Sequence, residues 1–284
     1  MNSRILVTGA SGMTGRRVAS RLTEAGRSVR TATRSGGGGD DHVRFDWDDP
    51  ATHGAALEGT GALYLVCPPT AVDPAPAVLP FLDLAREHGV SRAVMLSAQG
   101  ITDSNEGMGA VQVRVREVFP EWAVLQPAWF MQNFTEGVFA PGIRASGQVL
   151  APTGTGRVGF IDAEDIAACA VRALVDERAP QRTLELSGPE SLSFGDVAEL
   201  LSKATGTAVR HTDPEPALVK EHLVGQGIPA DYADVLLFLY SGIAQGWDDV
   251  LHGTVEEVLG RPPASFSDFL ERDGALLDAG SGSA

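Results

Sequence analysis

Along the first half of the chain, short runs of apolar, often β-branched residues alternate with longer stretches in which apolar positions recur every three or four residues. That alternation is the mark of a parallel sheet with crossover helices. Residues 4–9 (RILVTG) predict a buried strand, and over 13–26 Val18, Leu22 and Ala25 fall on one helical face that Gly26 brings to a stop. Further strands are expected over 28–34, 42–47, 62–67, 92–98 and 121–127, and helices over 77–88 and 111–118. The run Gly36–Gly39, followed by Asp40 and Asp41, departs from the repeat and predicts a loop in place of a full crossover helix. After Pro127 the pattern loses its regularity. It predicts a helix over 160–176 with Asp162 as its N-cap, a strand over 183–188, a helix over 193–206, and helical segments to about residue 272 before a frayed tail.

One string within this frame carries chemistry. In VTGASGMTG, Gly9, Gly12 and Gly15 have G-x-x-G-x-x-G spacing, directly after the first strand and at the opening of the first helix. In that context the glycines allow a tight turn and close approach of the backbone to a pyrophosphate, which the helix N-terminus then holds. The expected fold class is therefore α/β, with a Rossmann-type doubly wound parallel sheet over 1–150 and the 160–176 helix packing back on it. A smaller, mostly helical substrate-binding region is expected over 151–275, and a flexible tail over 276–284.

The end of the second strand selects the cofactor. An NAD site places Asp or Glu there to bind the ribose hydroxyls, whereas this chain has Thr33-Arg34-Ser35. A guanidinium suits a 2′-phosphate that a carboxylate would repel, so NADP(H) is expected, with Arg34 as its ligand and Arg16 or Arg17 as further candidates. Ligands in such folds lie beyond the carboxyl ends of the strands. That rule points to Asp46 and Trp47 near the adenine, to Cys67, Pro68 and Pro69 beside the dinucleotide, and to Ser97, Ala98, Gln99 and Gln126 near the nicotinamide. Trp47 is also readable as core, and the two prolines as a simple strand stop.

Composition narrows the partners. With 22 basic against 37 acidic residues the net charge is −15, which repels nucleic acid and anionic membrane. No stretch of about 18 apolar residues is present to span a membrane, no signal peptide is visible, and a cytoplasmic location is expected. Cys67 and Cys169 are too few for a disulfide framework or a thiolate zinc site, the histidines lack metal-ligand spacing, and no metal is predicted. A small-molecule substrate is the expected partner, on a monomer or homodimer.

What the chain lacks constrains its reaction. A short-chain dehydrogenase ordinarily uses Tyr-x-x-x-Lys, the tyrosine as acid/base and the lysine lowering its pKa. None of Tyr64, Tyr232 and Tyr240 has lysine four residues later, and both lysines, Lys203 and Lys220, lie beyond residue 200. Ketone reduction makes an alkoxide that needs a proton, and general acid catalysis is worth roughly 10²–10⁴-fold there. An iminium carbon is already cationic, and quinones and conjugated enones spread the incoming charge. The missing pair favours such activated substrates, with Ser97 and Gln99 as positioning groups.

The strings ILVTGASGMTGRRVA, VRFDWDDP, LYLVCPP and LQPAWFMQNF resemble the NmrA-like atypical short-chain dehydrogenases, and within them the ergot-alkaloid-type reductases (agroclavine and festuclavine dehydrogenase-like). The similarity runs to about Arg272, through GPESLSFGDVAELLSKATG and RPPASFSDFLER. It implies an NADPH-dependent reductase of an imine or iminium in specialised metabolism. It carries cofactor roles onto Gly9, Ser11, Gly12, Met13, Thr14, Gly15 and Arg34, and lines a substrate pocket with Trp129, Phe130, Met131 and Asn133. Trp129, Phe130 and Phe134 are also readable as a hydrophobic plug joining the two regions, but pocket lining is the favoured reading. At Gln126 the chain departs from the family pattern, which has Arg before the proline. Quinone reduction, a non-catalytic NADP(H)-sensing regulator, and a redox-silent cyclase or isomerase are the competing readings.

Overall fold

The computed structural model describes residues 4–35, 41–275 and 277. The expectations for Gly36–Asp40, and for 276–284 other than Leu277, lie outside the described residues. The elements run β1 (Arg4–Val7), α1 (Gly15–Glu24), β2 (Val29–Thr33), β3 (His42–Arg44), α2 (His53–Leu57), β4 (Thr60–Val66), α3 (Ala75–Glu87), β5 (Arg92–Leu96), α4 (Gly107–Val118) and β6 (Glu121–Pro127). They continue with α5 (Ala140–Ser146), β7 (Gln148–Leu150), β8 (Arg157–Val158), α6 (Ala163–Val175), β9 (Arg182–Leu186), β10 (Leu192–Ser193), α7 (Phe194–Thr205), β11 (Arg210–Thr212), α8 (Pro216–Gly225), α9 (Ala230–Ala244), α10 (Thr254–Leu259) and α11 (Phe266–Asp273). The chain forms two compact units: the described residues of Met1–Pro127 with Glu164–Glu185, and those of Ala128–Ala163 with Leu186–Ala284.

The first unit is built on a seven-stranded sheet in the order β3-β2-β1-β4-β5-β6-β9, a Rossmann-type doubly wound sheet whose pairings from β3 through β6 are all parallel. Both sheet faces are buried, as a parallel sheet flanked by helices requires. Leu6, Leu63, Leu65, Ala93, Met95 and Val124 enter one core layer with Val78, Phe81 and Leu82 of α3 and Val111 and Val115 of α4. Their neighbours in the pleat, Ile5, Val7, Tyr64, Val94 and Leu125, point to the other side and are buried as well. The predicted strands and helices of this unit are present with shifted ends: β1, β2, β3 and β5 are shorter than expected, β4, α3 and α4 begin earlier, and α2 is an addition. Among the strands the largest difference is at 42–47, where the strand stops at Arg44 and Asp46 begins a turn, its carbonyl held by His53 Nε2 at 3.0 Å.

The second unit has no large sheet among its described residues. β7 pairs with β11 in parallel and β8 with β10 antiparallel. Its core is a cluster of rings: Phe134 packs on Phe139, Phe160, Phe194 and Phe266, with centroids 4.9, 5.4, 5.7 and 5.6 Å away. Two capping boxes start its helices, Ser193 with Asp196 at α7 and Ser265 with Asp268 at α11. The Ser193 backbone N–H, donated to Asp196, holds that carboxyl below its usual pKa. At Ala163 the N–H donates to Gln132 Oε1 at 2.8 Å, so a glutamine side chain serves this helix start. Asp162, the expected cap, also accepts from Gln132 Nε2 at 2.7 Å and pairs with Arg272 at 2.8 Å. Among the described residues no helix is long and apolar enough to cross a membrane, and no cluster of His, Cys, Asp and Glu is arranged to hold a metal ion.

Candidate functional site

The strand order determines where a ligand finds room. β1 has β2 on one side and β4 on the other, so the connections leaving its carboxyl end diverge and open a crevice there. The glycine-rich loop sits at that point. Gly9 has φ +60°, which favours glycine, and a Cβ there would stand 3.1 Å from Val66 Cβ. Thr8 Oγ1 accepts from the Val66 N–H at 2.7 Å and donates to the Val66 carbonyl at 3.1 Å, tying the loop to β4. The Gly12 N–H closes the turn on the Gly9 carbonyl at 2.8 Å.

Gly15 is the tightest of the three. A Cβ at that position would lie 2.2 Å from the Gly9 carbonyl oxygen, so helix and turn approach this closely only through glycine. A Cβ on Gly12 would meet only that same oxygen, at 3.1 Å, with open space otherwise, and Ser11 and Gly12 are exposed. Thr14 is buried, Met13 half-buried, and the first turn of α1 carries no acidic residue. A glycine cradle with one open side, at a helix N-terminus free of negative charge, fits a pyrophosphate.

Arg34, just past β2, is exposed, and no partner engages it among the described residues. Arg17 is committed: its Nε donates to Glu164 Oε1 at 2.9 Å and its Nη1 to the Met13 carbonyl at 2.8 Å. Asp46 is half-buried and its Oδ1 accepts from the Asp48 N–H at 3.2 Å. Trp47 packs edge-on against Phe45 at 4.8 Å and Phe81 at 5.3 Å, so most of its ring belongs to an aromatic cluster.

At the end of β4, Cys67 is buried, and burial pushes its thiol up to about 12. Pro68 is half-buried and Pro69 exposed, and Thr70 after them has φ +61°. Past β5, the Ser97 N–H bonds the Leu125 carbonyl at 2.8 Å and the Gln99 N–H the Pro127 carbonyl at 3.0 Å, while Ala98 between them is exposed. The Ser97 hydroxyl and the Gln99 side-chain carbonyl are buried, and neither has a hydrogen-bond partner among the described residues. Leaving such a group unsatisfied costs about 1–3 kcal/mol, which a ligand at the strand ends would offset.

Gln126 is placed differently. Its Nε2 donates to the Ile101 carbonyl at 2.6 Å and to Gln112 Oε1 at 2.8 Å, tying the end of β6 to α4. Gln112, which the sequence reading passed over, is fully buried; its signal was an amide on the apolar face made by Gly109, Ala110, Val111 and Val115.

The residues carried over as pocket lining all belong to the second unit. Met131 is fully buried, while Phe130 and Asn133 are half-buried. Trp129 stacks on Tyr240 with centroids 5.3 Å apart and donates its indole N–H to Asp248 Oδ2 at 3.1 Å. Tyr240 and Asp248 were invisible in the sequence because nothing local links them to Trp129.

Residues 9–177 match a family described as NAD(P)H-binding. The uncharacterized oxidoreductase YesF of Bacillus subtilis (strain 168) is 41% identical over 267 residues, 93% of each chain. Festuclavine synthase II of Penicillium roqueforti is 34% identical over 281 residues, covering 95% of this chain and 98% of that protein. In fold, an NADPH-dependent quinone oxidoreductase from Escherichia coli complexed with NADPH is similar, with a TM-score of 0.72 at 21% identity, over 94% of this chain and 98% of that one. The glycine cradle at the switch point of a seven-stranded sheet thus stands in a sequence context shared along nearly the whole chain, and the protein belongs to the NAD(P)H-binding family and is related to the festuclavine and agroclavine enzymes.

Proposed function

We propose that the protein is an NADPH-dependent reductase that delivers hydride to an imine, an iminium or a similarly activated carbon in specialised metabolism. The observation that carries this reading is the neutrality of the groups around the ends of β4, β5 and β6 among the described residues of the first unit. Ser97 and Gln99 supply unpartnered oxygens, Gln112 and Gln126 supply an amide pair, and the titratable Tyr64 and Cys67 are buried with raised pKa values. None of these groups releases a proton readily near neutral pH, so a substrate that needs none suits them best. NADPH, when bound, supplies the hydride. The glycine turn would hold its pyrophosphate, and the unengaged Arg34 its 2′-phosphate, where a carboxylate is lacking. Ser97 and Gln99 would orient the reacting groups in a water-poor setting. The relatedness to festuclavine synthase II supports a place in specialised metabolism.

Single-turnover hydride transfer from NADPH tests this, with an iminium, a quinone and a plain ketone offered to the parent and to Ser97→Ala. The iminium should react fastest, and Ser97→Ala should slow it by only about tenfold, or about 1.4 kcal/mol of barrier. Faster turnover of the quinone than of the iminium would move the assignment to quinone reduction. Brisk ketone reduction that falls roughly 10²–10⁴-fold in Ser97→Ala would make Ser97 a true acid and overturn the reading.

A further inference from the structure

The second unit holds a carboxylate in an unusual position. Asp248 is half-buried, and its one hydrogen bond among the described residues comes from the Trp129 indole at 3.1 Å. No Lys, Arg or His among the described residues pairs with it. A carboxylate withdrawn from water usually has a cation to compensate it, and one neutral N–H donor does so only in part. Burial accordingly raises the Asp248 pKa, with the Trp129 hydrogen bond acting in the opposite direction.

The surroundings are aromatic. Trp129 lies stacked on Tyr240 at an interplanar angle of 22°. Tyr240 is fully buried, and its hydroxyl has no hydrogen-bond partner among the described residues. Trp247, next to Asp248 in the chain, seats its ring against Gly242, where a Cβ would come within 2.4 Å of it. Its other neighbour is Phe238, with ring centroids 5.6 Å apart, and the two are 53% and 62% exposed. One stretch from the end of α9 through Asp248 thus gathers an uncompensated anion, two aromatic ring pairs and an orphaned buried hydroxyl. An anion beside ring faces is the chemistry that recognises an organic cation: the carboxylate supplies the charge and the π-faces select a flat, weakly hydrated cation over a metal ion or a simple ammonium.

We propose that Asp248, together with the ring of Trp129 that the buried Tyr240 backs, forms the recognition site for the positive charge of an aromatic iminium or ammonium substrate and sets a preference for cationic over neutral compounds. The identity of the substrate rests on the reductase reading above; the cation site itself depends only on residues of the second unit. Asp248 is a specificity-determining residue here and takes no part in moving a proton or a hydride.

Equilibrium binding to the full-length protein, followed by tryptophan fluorescence, tests this with two probes of nearly equal shape. N-methyl-3,4-dihydroisoquinolinium carries the charge and 1,2-dihydronaphthalene does not. The parent should bind the cation more tightly than the neutral probe. Asp248→Asn, which keeps the shape and the acceptor for the Trp129 indole, should weaken the cation by about tenfold or more, the worth of a charged hydrogen-bonding partner, and leave the neutral probe unchanged. Asp248→Glu should restore part of the preference. Equal binding of both probes by the parent, or an equal loss of both in Asp248→Asn, would overturn the proposal. Offering NADPH with the bound cation separates the two readings: preferential binding without hydride transfer would remove the iminium-reductase assignment and leave the cation site standing.

Discussion

The two units bury apolar surface by different means. In the first, aliphatic side chains alternate across a parallel sheet, and backbone ladders from β3 to β6 hold the strands in register. In the second, strands of two or three residues contribute little ladder, and rings from Phe134, Phe139, Phe160, Phe194 and Phe266 interlock instead. The first arrangement leaves strand ends and a glycine turn in place to present backbone N–H groups to a phosphate. The second leaves aromatic faces available for shape and charge recognition. On the reading proposed above, cofactor binding would draw on main chain, which tolerates little variation, and substrate recognition on side chains that can be exchanged without disturbing a sheet.

That contrast can be broken most forcefully in the second unit. Phe134→Ala removes the ring at the centre of the cluster and should destabilise the protein by about 3–5 kcal/mol in urea unfolding of the full chain. A loss below about 1 kcal/mol, less than such cavities cost, would show that the cluster is not what holds this unit together.

In the first unit, the sharpest intervention alters binding and spares the fold. Gly12→Val adds a side chain whose Cβ meets only the Gly9 carbonyl oxygen among the described residues, at 3.1 Å, on the open side of the cradle. NADPH binding should fall by more than about a hundredfold with circular dichroism unchanged, since the side chain would occupy pyrophosphate space. Retained binding would mean that the phosphate lies elsewhere.

A smaller effect sharpens the cofactor side. Arg34→Ala should cost about 1–3 kcal/mol of NADPH affinity and leave NADH nearly unchanged, as for a charge-assisted hydrogen bond. Calorimetric titration of both cofactors reads it, and equal NADPH and NADH affinities in the parent would end the NADP assignment.

The same contrast governs how much of the molecule is legible in its sequence. The first unit announces itself because a strand needs only its own alternation and a helix its own apolar stripe to be recognised. Even there, the end of the third strand is misread. Phe45 and Trp47 look like strand residues, but their rings join His53 and Phe81 in a cluster that turns the chain away after Arg44. In the second unit, β7, β8, β10 and β11 are too short to print a period, and their pairing is supplied by partners far along the chain.

Residue identity and short-range spacing settle the succession of strands and helices in the first unit apart from α2, the glycine turn with its bar on side chains, the missing Tyr-x-x-x-Lys pair, and the basic residue after the second strand. All of these depend on residue identity or on spacing within a few positions. Only the tertiary structure decided that Gln126 is engaged by Gln112 and Ile101, that Gln132 serves the start of α6, and that Trp129 meets Asp248, a residue 119 positions away. Such pairings form between side chains that packing brings together, and local spacing carries no record of them, because the free energy that selects them is gained only when distant segments bury one another.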